Sequence, residues 1–144
     1  MLTVGDLMTT QLFTLLESDS LYTAKQIMEM ARVRHVPIVD SKDAFIGLIT
    51  HRDMLSLAVS KLSGIDDSTQ DELDAGIPLR EIMRTDVAMV APGTLLRDAA
   101  QMLLEHKYGC LPVVDAGKLV GIITEADFLR LTISLMDALE SRDD

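Results

Sequence analysis

The sequence repeats itself, and this internal repeat constrains the fold more than any other feature. A shift of 75 residues aligns Met8 with Met83, and beyond residue 40 a shift of 74 aligns residues 47–53 (GLITHRD) with residues 121–127 (GIITEAD). The one-residue difference lies where a hairpin turn is expected. Such a difference is tolerated in a turn, because turn length can vary without disturbing the strands. The chain therefore contains two copies of one folding unit, and its function is expected where the two copies meet.

Hydrophobic periodicity predicts the same order of elements in both copies. A short apolar run predicts a strand, the helical spacing after it predicts a helix, paired β-branched runs predict a hairpin, and helical spacing then resumes. Each copy thus reads β-α-β-β-α, an α+β fold. The predicted elements are first strands at 13–16 and 87–90, hairpin strands at 36–39 and 45–50, hairpin turns at 40–43 and 115–118, and last helices through residue 62 and to about residue 139.

Composition narrows the class of protein. The net charge of -10 disfavours nucleic acid and anionic membranes as partners. No apolar run approaches the ~20 residues of a membrane-spanning helix, and the first residues lack the basic and apolar parts of a secretory signal. A single cysteine, Cys110, excludes an intrachain disulfide and fits a reducing compartment. These features predict a cytoplasmic protein.

An acidic stretch separates the two copies. Residues 63–78 contain five carboxylates, two glycines and few apolar residues, which favours a solvated linker. The predicted organisation is a first repeat at 1–62, an acidic linker at 63–78 and a second repeat at 79–144.

Three motifs occur in both copies and carry a family resemblance. They are MTT at 8–10 and MRT at 83–85, VPIVD at 36–40 and LPVVD at 111–115, and the GLITHRD and GIITEAD segments. Together with the element order, they resemble a cystathionine β-synthase (CBS) domain pair, also called a Bateman module, in a stand-alone CBS-domain protein. The resemblance covers about residues 4–62 and 79–137.

The resemblance implies an architecture and a function. Two CBS repeats would pack about a pseudo-twofold axis and leave two clefts between them. In many family members these clefts hold an adenosine-containing ligand, such as AMP, ADP, ATP or S-adenosylmethionine. The expected function is a regulatory sensor of adenine nucleotides that forms a homodimer and acts on a regulated partner protein, with no cofactor as catalyst.

The resemblance also implies two sets of binding residues. In the family, the Asp of T-x-x-D grips the ribose hydroxyls and the Thr lies near ribose or phosphate. The first site would comprise Thr50, Asp53, Arg34, His35 and Arg52, with residues 85–89, from Thr85 to Met89, supplied by the other repeat. The second site would comprise Thr124, Asp127, Gly109 and Cys110, with residues 10–15, from Thr10 onward.

The duplicated Asp suits this role chemically. An ionised carboxylate accepts hydrogen bonds from both hydroxyls of a ribose cis-diol, as Asp53 and Asp127 would. The glycine three residues before each Thr would let a flat ring approach the strand. However, Thr followed three residues later by Asp is also an ordinary helix cap, and the two interpretations are compatible.

The two copies differ in charge. The first carries basic residues where the second does not, so a phosphorylated ligand is expected to prefer the first. The alternative is that each of these arginines is merely solvated and pairs with surface acids. The basic residues of the first copy are Arg32, Arg34, His35, His51 and Arg52, and the second copy has Gly109, Cys110, Glu125 and Ala126 at the last four of these positions.

No catalytic or metal-binding motif is evident. The three histidines lack metal-ligand spacing, no nucleophile motif is present, and Cys110 is expected to pack in the core or line a cleft. The chain is therefore not expected to be an enzyme.

The last helix carries two apolar stripes, which is more than one packed face requires. Part of this helix is therefore expected to meet another subunit. The competing hypothesis is a dimerisation or protein-interaction scaffold that binds no ligand, with the Thr and Asp residues serving only as caps. The stripes are Phe128, Leu131 and Leu135, and Leu129, Ile133 and Met136.

Overall fold

The computed structural model describes residues 1–58, 66–106 and 109–142. It contains both helices and strands, in agreement with the predicted α+β class. In chain order they are α1 (Val4–Leu7), β1 (Leu15–Leu16), α2 (Leu21–Ala31), β2 (His35–Val39), β3 (Phe45–Thr50), α3 (His51–Ala58), α4 (Asp67–Ala75), a 3₁₀ turn (Leu79–Glu81), α5 (Leu96–Glu105), β4 (Cys110–Asp115), β5 (Lys118–Thr124) and α6 (Glu125–Arg142).

The chain folds into two compact units that do not follow the repeat boundaries. The first-repeat unit comprises Phe13–Val87 and Ala116–Leu119. The second-repeat unit comprises Met1–Leu12, Ala88–Asp115 and Val120–Asp144. Each unit therefore combines the hairpin of one repeat with the leading segment of the other repeat.

The first-repeat unit is built on a three-stranded sheet in the order β1-β2-β3. β1 runs parallel to β2, and β2 pairs antiparallel with β3, with His35 opposite Thr50. The predicted hairpin is confirmed. Helix α2 begins at Ser20, whose hydroxyl accepts a hydrogen bond from the Thr23 N–H at 3.2 Å. The buried core residues are Leu15, Leu21, Ala24, Met28, Val36, Ile38, Ile49, Met54 and Leu79.

Strands β4 and β5 form a two-stranded sheet, which belongs to the second-repeat unit except for the turn and the first two residues of β5. The turn between these strands places Ala116 and Gly117 in the left-handed region, with φ of 51° and 82°. Glycine adopts this conformation without strain, which suits the turn. The buried core residues are Val4, Val90, Leu96, Ala99, Leu103, Leu111, Val113 and Ile123.

The predicted strand at 87–90 is wrong. Only Val90 pairs, in a single parallel bridge opposite Val113. Its N–H donates to the Pro112 carbonyl at 3.0 Å, and its carbonyl accepts from the Val114 N–H at 2.8 Å. Burial of Val87 and Val90 accounts for the apolar pattern. A strand also requires a neighbouring strand that pairs with its successive residues, and only Val90 has one.

The acidic stretch differs from the solvated linker that its composition predicted. Residues 63–65 lie outside the described residues, but α4 is a regular helix that packs against α2. Its N-cap Asp66 accepts the Thr69 N–H at 2.7 Å. Asp74 is only 2% exposed and pairs with Lys25 at 2.5 Å. This ion pair satisfies a buried carboxylate that the sequence gives no reason to bury.

The last helix of each repeat agrees with the predicted pattern over the described residues. Helix α3 follows Thr50, and the part predicted for residues 59–62 lies outside the described residues. Helix α6 continues to Arg142, three residues beyond the predicted end. No helix in the described ranges is both long enough and apolar enough to span a bilayer.

A leading segment crosses the hairpin in each unit, and a glycine makes room for it. Leu48 and Arg84 exchange two backbone hydrogen bonds, of 2.9 and 2.8 Å. A Cβ added to Gly47 would lie 2.5 Å from Met83 Sδ and 3.2 Å from the Arg84 carbonyl oxygen. In this structure the space opened by the glycine is therefore filled by a methionine, not by the flat ring that the sequence suggested.

The second-repeat unit repeats this crossing. Thr9 and Ile122 exchange hydrogen bonds of 2.8 and 3.0 Å. A Cβ on Gly121 would lie 2.6 Å from Met8 Sδ. The duplicated Met and Gly of the sequence are thus one packing contact made twice.

The close approach at Gly47 predicts a cost for any side chain there. Gly47→Ala should lower the free energy of unfolding by about 1–3 kcal/mol, because the added methyl group overpacks against Met83 and the backbone. Urea denaturation would measure this. Gly93→Ala is the matched control, since a Cβ there meets nothing within 4 Å. A loss at Gly47 no larger than at Gly93 would contradict the packing role.

Candidate functional site

Asp53 lies in the first turn of α3, where it forms a capping box with Thr50. The Thr50 N–H donates to Asp53 Oδ2 at 3.2 Å, and the Asp53 N–H donates to Thr50 Oγ1 at 3.1 Å. These reciprocal bonds satisfy two backbone donors that a helix start leaves unpaired. The cap that the sequence offered as an alternative is therefore present in the structure.

The same carboxylate is held by an arginine from the segment that crosses the hairpin. Arg84 Nε lies 3.0 Å from Asp53 Oδ1 and 3.1 Å from Oδ2, and Nη2 lies 2.7 Å from Oδ1. The Asp53 side chain is 17% exposed and the Arg84 side chain 49%. Charge-assisted, forked contacts of this kind are stronger than neutral hydrogen bonds and fix the orientation of both groups.

The ion pair affects the protonation of Asp53. Burial alone raises the pKa of this carboxyl, but hydrogen bonds from Arg84 and Thr50 and the charge of Arg84 outweigh that effect and hold the pKa below its usual value. Asp53 is thus anionic at neutral pH, as a hydrogen-bond acceptor for hydroxyl groups must be.

The other predicted residues of the first repeat lie beside this carboxylate in the fold. His35 faces Thr50 across the hairpin. The carbonyl of Arg34 accepts the His51 N–H at 2.8 Å, which joins the start of β2 to the start of α3. Arg34, His51, Arg52 and Thr85 have exposed side chains, and His35 is half-buried.

Asp127 occupies the equivalent place in the second-repeat unit but has different partners. The Thr124 N–H donates to Asp127 Oδ2 at 2.9 Å, while Thr9 Oγ1 and Arg130 Nη2 donate to Oδ1 at 3.0 and 2.6 Å. The Asp127 side chain is only 5% exposed. This carboxylate is therefore both more buried than Asp53 and held from its own helix.

The repeat alignment explains the difference between the two carboxylates. Arg84 aligns with Thr9, and each donates to the Asp of the unit it enters. Arg130 aligns with Ser56, whose hydroxyl instead donates to the Arg52 carbonyl at 3.2 Å. The cation paired with Asp53 thus comes from the crossing segment, whereas the cation paired with Asp127 comes one turn along α6.

The remaining predicted residues are divided between exposed and buried positions. Thr10 is exposed at the end of the crossing segment. Gly109 precedes β4 with φ of 72°, and its carbonyl accepts the Glu125 N–H at 3.3 Å. Met89 is exposed and belongs to the second-repeat unit, whereas Asp53 and Thr85 belong to the first-repeat unit.

Cys110 is a core residue. Its side chain is completely buried, and burial raises the pKa of its thiol to about 12. It is therefore neither a thiolate nucleophile nor an accessible ligand contact, which argues against the binding role implied by the family resemblance.

Sequence reasoning missed three residues that contact the two carboxylates. Thr9 and Arg84 fall one position before the ranges predicted to complete each site, and Arg130 was not considered. A signal for the first two was available, since the MTT and MRT motifs place Thr9 and Arg84 at the same position. A signal for Arg130 was also available, because it follows Asp127 by three residues on a predicted helix, a spacing that brings an acid and a base together.

Over the described residues, the predicted binding residues coincide neither with a metal centre nor with the apolar groove of the second-repeat unit. Among the described residues, no group of three or more His, Cys, Asp or Glu side chains is placed to hold a metal ion. A shallow apolar groove of about 360 Å³ lies in the second-repeat unit, but it contains none of the predicted site residues. It is lined by Met1, Leu2, Leu95, Leu96, Arg97, Ala100 and Phe128.

A family model for the CBS domain matches residues 4–60 and 79–134. The chain belongs to the CBS-domain family. The family resemblance of the duplicated motifs is thereby confirmed, as is the mixed α and β fold of the CBS pair.

Solved CBS pairs match the chain over almost its whole length. The crystal structure of a Vibrio cholerae protein assigned to acetoin utilization (AcuB) is 40% identical, with a TM-score of 0.79, over 98% of this chain and 97% of that one. Arabidopsis thaliana CBSX2, solved in complex with AMP, is 31% identical, with a TM-score of 0.77, over 93% of this chain and 98% of that one.

Curated relatives include both short and long proteins. The CBS domain-containing protein YhcV of Bacillus subtilis is 31% identical over 88% of this chain and 83% of its own length. By contrast, the chain spans only 42% of the length of protein MJ1225 of Methanocaldococcus jannaschii, at 30% identity. The CBS pair is thus found both as most of a protein and as a part of one.

The Arg84–Asp53 pair predicts a pH-dependent stability. Because the folded pKa of Asp53 is depressed, its contribution is present above the unfolded pKa of about 3.9 and is lost as pH falls through the lower folded pKa. Arg84→Met should raise the pKa of Asp53 and remove this contribution, about 0.5–1 kcal/mol for a half-exposed pair. The stability deficit of the variant should shrink between pH 7 and pH 3.

Carboxyl-detected NMR titration and denaturation at several pH values would measure both effects. Arg97→Met, which removes an exposed arginine from α5, is the control and should leave the Asp53 pKa unchanged. Equal pKa values for Asp53 in the two variants would show that Arg84 does not set its protonation.

Proposed function

We propose that this CBS pair is a regulatory module that binds an adenine nucleotide through Asp53. The observation that carries the proposal is an anionic carboxylate, 17% exposed, fixed at a helix start whose neighbouring elements expose Arg34 and Arg52. The ligand would be AMP, ADP, ATP or S-adenosylmethionine, and phosphorylated ligands would be favoured at this position.

The geometry of Asp53 supports recognition of a ribose. Its two oxygens together offer about four lone-pair directions. The cap uses one of them, through the Thr50 N–H to Oδ2. The remaining lone pairs accept from Arg84, whose side chain is 49% exposed. A ribose diol can therefore replace the guanidinium while the capping box stays intact.

The surrounding charge supports recognition of a phosphate. Arg34, His51 and Arg52 are exposed at the ends of β2 and α3, and the N-terminal end of α3 adds a favourable helix dipole. The second repeat has Gly109, Glu125 and Ala126 at these three positions. The site around Asp53 is therefore proposed as the main nucleotide site.

The comparison with CBSX2 supports an adenosine ligand. That protein, 31% identical over nearly all of this chain, was solved with AMP bound. Adenosine recognition is therefore compatible with a sequence this similar. Regulation follows if the two conformations of the module bind the nucleotide with unequal affinity, since only differential affinity shifts an equilibrium. The regulated partner would be a protein that distinguishes these conformations.

Removal of the carboxylate tests the assignment. Asp53→Ala should weaken nucleotide binding roughly 10- to 100-fold, because about 1.5–3 kcal/mol of charged hydrogen bonding to the ribose is lost. Isothermal titration calorimetry with AMP, ADP, ATP and S-adenosylmethionine would measure it. Thermal shift with the same panel gives an independent reading, since a ligand selective for the native state raises its melting temperature.

Asp98→Ala is the matched control. Like Asp53, Asp98 lies in the first turn of a helix, α5. It is exposed and does not belong to a T-x-x-D motif. Its replacement should leave every dissociation constant unchanged. Equal affinities for wild type and Asp53→Ala would reject Asp53 as the ribose-binding residue.

A second candidate function is a dimerisation or protein-interaction scaffold, and the surface of α6 favours it. Phe128 and Leu131 pack partly against the core. The third residue of their stripe, Leu135, is 56% exposed, and the second stripe is bare, with Leu129, Ile133 and Met136 exposed by 64, 58 and 55%. An apolar face of this kind commonly marks an interface. We propose that it forms a homodimer, which is compatible with nucleotide binding.

The bare stripe predicts a charge-sensitive assembly. Ile133→Glu should convert the homodimer to a monomer, because it places a charge in an apolar interface. Size-exclusion chromatography with light scattering would measure the mass. Ser134→Glu lies one position along the same helix and away from the stripe. This variant should still have the mass of a dimer. A monomeric wild type, or a dimeric Ile133→Glu, would reject this surface as the interface.

A further inference from the structure

The carboxylate proposed to bind ribose is already engaged. Two nitrogens of Arg84 contact both oxygens of Asp53, at 2.7–3.1 Å. A neutral ribose that binds Asp53 must therefore displace a cation from it. If the proposed nucleotide site is correct, a ligand must compensate for the loss of this ion pair in order to bind.

The contact is built so that the side chain of Arg84 can leave without the backbone. The Arg84 N–H and carbonyl are fixed by hydrogen bonds with Leu48 of 2.8 and 2.9 Å. Its side chain, however, is 49% exposed, so the guanidinium can swing into solvent or towards a ligand. The expected movement is therefore a side-chain exchange about a fixed crossing segment.

The charge around Asp53 determines when this exchange is favourable. A released Arg84 adds a cation to a surface that already exposes the guanidinium groups of Arg34 and Arg52. A nucleoside without phosphate offers this set of cations nothing. A nucleotide brings an anion, and arginine binds phosphate oxygens through the same planar fork that it uses for a carboxylate.

We propose that Arg84 is a specificity-determining residue that makes the Asp53 site selective for phosphorylated nucleosides. In the free protein it occupies Asp53. When a nucleotide binds, the ribose hydroxyls take its place on the carboxylate, and the guanidinium transfers to the phosphate. The selectivity acts in two ways, because Arg84 excludes ligands that cannot compensate for its release and holds those that can.

The second repeat supplies the design of the test. Thr9 stands at the position of Arg84 and donates a neutral hydroxyl to Asp127 at 3.0 Å. Arg84→Thr therefore gives Asp53 the same kind of partner that Asp127 already has. Arg84→Lys is the companion variant, since it keeps the charge but loses the fork.

The experiment measures dissociation constants for AMP and for adenosine with the full chain by calorimetry. Arg84→Thr should bind adenosine at least tenfold more tightly than wild type, and the preference for AMP over adenosine should fall at least tenfold. For Arg84→Lys, the logarithm of the ratio of the adenosine and AMP dissociation constants should stay above half of its wild-type value. Melting temperatures would establish that both variants are folded, and Arg84→Lys carries the test if Arg84→Thr does not fold.

Arg34→Thr separates this effect from loss of positive charge alone. Arg34 is an exposed cation next to the start of β2, whereas the side-chain donor to both oxygens of Asp53 is Arg84. Its replacement should weaken AMP and leave adenosine unchanged. A gain in adenosine affinity is thus the signature expected of Arg84 only.

The outcomes distinguish this inference from the proposed function. If wild type binds AMP in an Asp53-dependent manner but Arg84→Thr binds adenosine no better than wild type, the role of Arg84 is overturned and the site stands. If neither wild type nor Arg84→Thr binds any adenosine ligand, the nucleotide site itself is rejected, and the role of Arg84 with it.

Discussion

The structure depends on the crossing of one short segment over one glycine, made once in each unit. At Gly47 and Gly121 the absence of a side chain lets a methionine sulfur and a peptide carbonyl approach the strand. Two backbone hydrogen bonds then fix the register of each crossing. Because the crossing segment leads the other repeat, neither unit is completed by its own repeat alone.

This crossing places a side chain at each helix cap. The residue after the methionine, Arg84 or Thr9, reaches the Asp that caps the helix following the strand. The capping box sets the position of the carboxylate from within the unit, and the crossing segment sets its partner from a distant part of the chain. The local and the long-range contact thus converge on one functional group, which makes its environment easy to change by a single substitution.

Much of this arrangement could be predicted from the sequence, and the part that could not has physical causes. Periodicity predicted the hairpins and helices because they depend on local spacing, and the T-x-x-D motif predicted the caps at Asp53 and Asp127. The Arg84–Asp53 contact spans 31 residues, so no local pattern reports it. Helix α4 was missed because an ion pair of Asp74 with Lys25 stabilises its packing, whereas an apolar stripe would have been recognised.

The two repeats show how one framework can support different chemistry. A capped carboxylate that is 5% exposed and held by a cation from its own helix is fixed by neighbours in sequence, as at Asp127. The equivalent carboxylate at Asp53 is 17% exposed and is held by a cation from the crossing segment. Under the proposed function, a ligand would compete with Arg84 for a carboxylate that is 17% exposed. At Asp127 the cation is itself exposed, but the carboxylate is 5% exposed and also accepts from Thr9, so a ligand would first have to open the packing around it. The degree of burial of the carboxylate, more than that of its cation, is therefore what separates the two repeats.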